Sequence, residues 1–115
     1  MRRGDVVWVD LEPVRGSEAN KRRPAVVVSN DGANRAAQSL GRGVITVVPI
    51  TSTTGRVYPF QVRIPAKTSG LPKASKARAE QIRSIAVQRV VSTAGHLAPE
   101  LLEQLDDAIR LHLSL

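Results

Sequence analysis

Three consecutive cations, Lys21, Arg22 and Arg23, precede Pro24 and a Val-rich run, Ala25-Val26-Val27-Val28-Ser29. Proline fixes its own φ at roughly −65° and pushes the preceding residue, here Arg23, into an extended conformation. A guanidinium is thereby held at the mouth of a strand, with one carboxylate, Glu18, in the polar stretch before it. A planar fork of permanent charge on a rigid base suits a phosphate. The segment taken alone reads equally well as a solvated polar loop, so the rest of the chain has to choose.

Other reactive groups are sparse. The sequence has no cysteine, which excludes a thiolate nucleophile, a thiolate metal site and a disulfide framework. The two histidines, His96 and His112, match no zinc spacing. His96 reads as a capping or solvent-facing residue ahead of the last helix, and His112 as a flank of that helix. Asp5, Asp10 and Glu12 lie on or beside the first strand and resemble no paired-metal cluster. No Gly-rich loop ends in Lys-Ser/Thr, so a P-loop is excluded. A basic face with hydroxyls and one or two carboxylates remains. RNA brings its own nucleophile, the 2′-hydroxyl. A protein that uses it must align that hydroxyl, stabilise charge on phosphorus and manage two protons, and needs no metal or other cofactor. Arg23 and Thr51 supply the charge stabilisation if the third strand ends beside the second.

The charge distribution points the same way. The 115 residues carry a net +7. Residues 63–89 hold seven Lys/Arg against Glu80 alone, whereas residues 90–115 hold Arg110 against four acids. A basic middle and an acidic tail read as a polyanion-binding face opposite a solvated one. Lys73, Lys76, Arg78, Arg83 and Arg89 form the expected backbone track; each alone is a solvated charge. Hydrophobic residues make up 42% and aromatics 3%, so an aliphatic core is expected, with Trp8 in it or on a dimer surface. No apolar run reaches membrane length, and Met-Arg-Arg-Gly-Asp does not read as a signal peptide. A single cytoplasmic domain over residues 1–115 is the expectation.

These residues need a scaffold of short strands. Asp5–Leu11, Ala25–Ser29, Gly43–Thr51 and Val57–Ile64 read as strands by their apolar runs and alternation. Pro49 and Pro59 suggest bulges or edges. Residues 34–40 carry one or two helical turns, and Pro65–Lys73 reads as loop. Ser75–Ser84 fits helix or strand by pattern, and Ala86–Val91 a short helical turn before a last short strand. Ala98–Ser114 is the clearest helix, with Leu101, Leu102, Leu105, Ile109 and Leu113 on one stripe. Pro99 suits its first turn, and Asp106 with Arg110 an i,i+4 ion pair. The fold class expected is mostly β with α additions: a small, twisted antiparallel sheet or barrel with a C-terminal amphipathic helix.

Several linked motifs resemble the MazF/PemK toxins of bacterial toxin–antitoxin pairs. They are Arg3-Gly4-Asp5-Val6-Val7-Trp8-Val9-Asp10-Leu11, Pro13, Gly16-Ser17-Glu18, Arg23 through Asp31, Pro49-Ile50-Thr51-Ser52 and Glu80-Gln81-Ile82-Arg83-Ser84. The match runs nearly end to end and includes the terminal helix. The resemblance implies an SH3-like barrel and a homodimer. It also implies metal-independent cleavage of single-stranded RNA that leaves a 2′,3′-cyclic phosphate and a 5′-hydroxyl. A cognate MazE-like antitoxin, with a disordered acidic–hydrophobic tail, is implied as inhibitor. The family's essential arginine falls on Arg23, its threonine on Thr51 and the acidic residue of its first long loop on Glu18. Ser17 and Gln81 are implied RNA contacts, joined by Lys21, Arg22, Ser52, Lys76, Arg78 and Arg83. The same fold family includes toxins that poison DNA gyrase and cut nothing. That reading stays open at this point, as does an inactive RNA-binding relative.

Overall fold

Two Val-rich strands, β1 (Asp5–Asp10) and β2 (Arg22–Val27), run antiparallel at the centre of the sheet, with Val6 opposite Val26 and Val9 opposite Arg23. The computed structural model describes residues 1–10 and 22–115, and for Thr68 the backbone only. After β2 come α1 (Asp31–Leu40), β3 (Val44–Thr51), β4 (Gln61–Ile64), α2 (Ala66–Ser69), β5 (Ser75–Arg78), β6 (Arg83–Ala86), β7 (Val90–His96) and α3 (Pro99–Leu113). Short 3₁₀ turns at Ala79–Gln81 and Val87–Arg89 separate β5 from β6 and β6 from β7. The sheet order is β4-β5-β3-β2-β1-β7, with β6 pairing the first half of β3. Every pairing is antiparallel.

Side-chain alternation divides the core between the two faces of the sheet. Val6, Val26, Val48 and Ile50 pack with Val62, Ile64, Leu97 and Leu105 on one face. Val7, Val9, Ala25, Val27, Ile45 and Val47 pack with Ala37 and Ile85 on the other. Both clusters are aliphatic, as the composition requires. The α3 helix covers the first cluster through Leu105, which is fully buried, with Leu101, Leu102 and Ile109 around it. Leu113 and Leu111 are exposed. Arg3 ties β1 to α3 by a bidentate fork on Asp106, with contacts of 2.6 and 3.3 Å, and its Nε donates to Val28 O at 2.8 Å. Asp106 is therefore not paired with Arg110, which instead bonds Asp107 at 2.9 Å. A buried-edge arginine offers Asp106 a planar fork, and an exposed i,i+4 partner does not compete.

His96 is not a free loop residue: its Nδ1 lies 2.7 Å from Asp5 Oδ1 and joins the end of β7 to the start of β1. Burial pushes the Asp5 carboxyl up. The Arg2 backbone N–H, the His96 bond, and the charges of His96 and Arg2 outweigh that, and hold it below the ordinary aspartate range.

The sheet path is not closed by strand pairing, since β4 and β7 do not pair in it. Their ends are joined instead through the segment after β4. Gly70, with φ +78°, lies so close to β7 that a Cβ there would overlap Ala94 O, and a Cβ at Gly95 would come 2.5 Å from Ser69 O. The register of β7 on β1 skips Val91 and Ala94, two bulges that increase local twist.

Strand limits differ from the sequence reading in two instructive places. The β2 strand begins at Arg22, ahead of Pro24, because it pairs β1 there while its ladder with β3 starts only at Ala25. A residue without an N–H is tolerated where one side of the strand is open. The expected strand from Val57 shrinks to Gln61–Ile64. The residues before Gln61 form a turn, in which Gln61 N donates to Tyr58 O at 2.8 Å and Tyr58 N donates to Gln61 Oε1 at 3.1 Å. Pro59 removes the donor that a strand would need. Pro49 pairs Ala25 and sits where β3 passes from β6 to β5, in keeping with a break in the ladder. The loop expected at Pro65–Lys73 contains the single turn of α2, and no helix among the described residues is long and apolar enough to cross a membrane.

Candidate active site

The last pair of the β2–β3 ladder is Ala25 with Pro49. Counting on by the same register sets Pro24 opposite Ile50 and Arg23 opposite Thr51. Pro24 cannot extend the ladder, and beyond it the strand ends border a cleft of about 240 Å³. All four of those residues line it, with Trp8, Arg22 and Ser52 beside them. Leu71, Pro72 and Lys73 line it too, after α2, and Ser75 begins β5 there. The cleft thus exists because Pro24 stops the β2–β3 ladder and a third segment crosses the opening.

Arg22 and Arg23 are exposed, Thr51 is half-buried and Ser52 is exposed. On its other side Thr51 pairs Lys76 of β5, so the strand end is held from that flank. Thr51 Oγ1 accepts the Thr53 N–H at 3.2 Å. A hydroxyl that accepts one bond keeps its proton as a donor for a ligand. Three cations, Arg22, Arg23 and Lys73, face a space that no carboxylate among the described residues lines. Such a donor set stabilises an anion, and does so best where the surrounding wall is apolar, as Trp8, Ile50 and Leu71 make it.

The remaining expected contacts are dispersed. Lys76 is nine-tenths buried: its Nζ donates to Arg56 O at 2.6 Å. Arg78 is half-buried on β5, and its Nε has no partner among the described residues. Gln81 is exposed at the end of a 3₁₀ turn, and Arg83 is exposed at the start of β6 opposite Val47. Thr51 lies four steps along the strand from Val47, about 13 Å at the usual rise. Neither Gln81 nor Arg83 lines the cleft. Arg89 donates to Asp10 O at 3.0 Å and so serves the end of β1. Ser17, Glu18 and Lys21 lie outside the described residues. Sequence reasoning did not assign Trp8 and Ser75 to this cleft. The β5–β3 pairing that brings Ser75 round is non-local and leaves no trace in a linear pattern.

A profile of the family described as PemK-like, MazF-like toxin of type II toxin–antitoxin system matches residues 2–113. The chain belongs to that family. Endoribonuclease MazF9 of Mycobacterium tuberculosis is 60% identical over 115 residues, spanning 100% of this chain and 98% of that protein. Endoribonuclease EndoA of Bacillus subtilis is 36% identical over 116 residues, spanning 100% of this chain and 96% of that protein. MazF from Deinococcus radiodurans superposes with a TM-score of 0.73 at 25% identity, covering 100% of this chain and 97% of that one. A MazE–MazF complex from the same organism gives 0.75 at 23% identity, covering 100% of this chain and 96% of that one, which bears on the fold alone. The expected sheet-plus-terminal-helix architecture is therefore that of the MazF-like toxins. In this MazF-like chain the cleft holds both the arginine and the threonine that the motif match singled out.

Proposed function

We propose that this toxin cleaves single-stranded RNA at short sequences, without a metal, by using the RNA's own 2′-hydroxyl. The observation that carries the reading is the presence of Arg23 and Thr51 in one cationic cleft at the end of the β2–β3 ladder. The full-length likeness to a protein named an endoribonuclease favours this over a gyrase poison, which has no use for such a pair.

In the reaction, the 2′-oxygen attacks the adjacent phosphorus as the bond to the 5′-oxygen breaks. One proton leaves the 2′-hydroxyl and one reaches the departing 5′-oxygen. The products are a 2′,3′-cyclic phosphate and a 5′-hydroxyl. Arg23 forks onto the non-bridging oxygens, and Thr51 donates to the same phosphate. A guanidinium is a permanent cation, so Arg23 stabilises charge and is no base. Glu18 is the carboxylate assigned to take the 2′-proton. Ser17, Lys21, Arg22 and Ser52 guide the backbone near the cut, and Lys76, Arg78, Gln81 and Arg83 serve flanking nucleotides. The toxin works as a homodimer, and an antitoxin's acidic–hydrophobic segment competes with RNA for the cationic face.

The test is incubation with single-stranded RNA in excess chelator. The wild-type protein should cut and leave cyclic-phosphate ends, and Arg23→Ala should cut about 10²–10³ more slowly. Intact RNA with the wild-type protein, or unchanged cutting by Arg23→Ala, refutes the reading. Gyrase-dependent DNA damage beside intact RNA supports the poison instead.

A further inference from the structure

Four planar side chains form a column that shares no residue with the lining of the cleft. The Tyr58 and Phe60 rings stack with centroids 5.4 Å apart and planes 4° from parallel. The Arg56 guanidinium carbon lies over the Tyr58 ring, 4.6 Å from its centroid. His112 of α3 ends the column, 6.4 Å from Phe60 and tilted by 50°. The whole sequence holds one Trp, one Tyr and one Phe, so two of its three aromatic rings are spent on this stack. Neither belongs to either core cluster, and Tyr58 is 39% exposed. Core packing therefore does not account for them.

The column is coupled to the cleft through one residue. Lys76 pairs Thr51 across β3 and β5. Its ammonium donates to Arg56 O and lies 5.9 Å from the Tyr58 centroid. The segment carrying Arg56 and Tyr58 is thus pinned beside the strand end that carries the reactive hydroxyl. Cations beside an exposed ring are the combination that binds a single strand: charges track the backbone, and planar groups stack on bases.

We propose that Arg56 and Tyr58 form a base-stacking subsite for a nucleotide flanking the scissile phosphate, with Lys76 as the positioning residue that holds the pair. The subsite rests on the nuclease reading above. A base stacks on the outer face of the Arg56 guanidinium, which the Tyr58 ring backs, and Phe60 and His112 buttress that ring from behind.

The experiment uses RNA made non-cleavable by a 2′-deoxy substitution at the mapped cut, with one abasic residue placed at successive flanking positions. Binding is measured for the wild-type protein, Tyr58→Leu, Tyr58→Phe and Arg56→Gln. At one position the missing base should weaken wild-type binding about 5- to 150-fold. Tyr58→Leu and Arg56→Gln should shrink that penalty, and Tyr58→Phe should keep it. Equal penalties in all four proteins at every position overturn the proposal. If Tyr58→Leu does not fold, the exposed Arg56→Gln change and Tyr58→Phe decide it. Cleavage of all-ribose RNA is followed in parallel. A Tyr58-dependent penalty without any cleavage refutes the nuclease reading and supports the subsite; cleavage without such a penalty removes the subsite alone. Unchanged RNA binding by Tyr58→Leu together with weakened binding of an acidic, leucine-rich peptide assigns the column to protein docking and overturns the proposal.

Discussion

Replacing Thr51 by Val removes a hydroxyl and keeps a β-branched shape at the last position of β3. Two losses follow, and their sizes separate them. Thr51 Oγ1 accepts one hydrogen bond, from the Thr53 N–H, and Thr53 is exposed. Water replaces that acceptor, so the fold loses about 0.5–1.5 kcal/mol at most. A donor aimed at charge that develops on phosphorus is worth about 2.7–4 kcal/mol, or 10²–10³ in kcat. Single-turnover cleavage at saturating RNA reads the second loss, and urea unfolding reads the first. Thr51→Ser keeps the hydroxyl and should recover most of the rate. In the double variant with Arg23→Ala the losses should fall short of additive, because both groups act on one phosphate. A Thr51→Val protein that cuts within about threefold of wild type, under 1 kcal/mol of barrier, refutes a catalytic role for that hydroxyl.

Acid should expose the link of Asp5 to the Arg2 backbone N–H and to His96. Asp5 is held below its ordinary range in the folded protein, so its contribution is present above the unfolded value near about 3.9 and is lost as pH falls through the folded one. The urea midpoint should therefore drop more steeply below about pH 4 for the wild-type protein than for Asp5→Asn; parallel curves count against the link. Leu105→Ala, at a fully buried site under α3, should cost about 2–5 kcal/mol in chemical denaturation, and a loss under about 1 kcal/mol would show that α3 is not anchored there. Affinity for non-cleavable RNA should fall steeply with salt. Lys73→Ala should flatten the slope of log K on log salt by about 0.7 if Lys73 neutralises one phosphate, and an unchanged slope removes Lys73 from the track.

The terminal helix and the three long Val-rich strands were legible because apolar spacing is a local signal. Leu101, Leu102, Leu105 and Ile109 do pack as the stripe requires, while the burial of Leu113 does not follow, since the helix outruns the sheet it covers. That Arg23 and Thr51 could meet was legible only as a condition, that the third strand end beside the second; β3 pairs β2 as far as Ala25 and Pro49, and both residues line the cleft beyond. The walls of the cleft were not legible. Ser75 arrives at the start of β5, whose pairing with β3 joins segments far apart in sequence, and Trp8 reaches the opening because β1 pairs the start of β2, which β3 leaves open. Asp106 illustrates the general difficulty. Its nearest cation in sequence reading was Arg110, yet the partner it takes is Arg3, brought in by the sheet. Basic residues read as one track divide by burial: Lys73 faces the cleft, Lys76 is almost enclosed and Arg89 serves the backbone.

The crossing of Gly70 and Gly95 has a consequence for how the molecule can change. Two main chains meet there with no side chain between them, so no rotamer is available to absorb a displacement. Gly70 leads straight into Leu71, Pro72 and Lys73, one wall of the cleft. Any altered length or bulk at that joint shifts the wall with it. A change that reshapes the cleft and spares the sheet therefore has to fall on the other rim, at Arg22, Arg23 and Ser52.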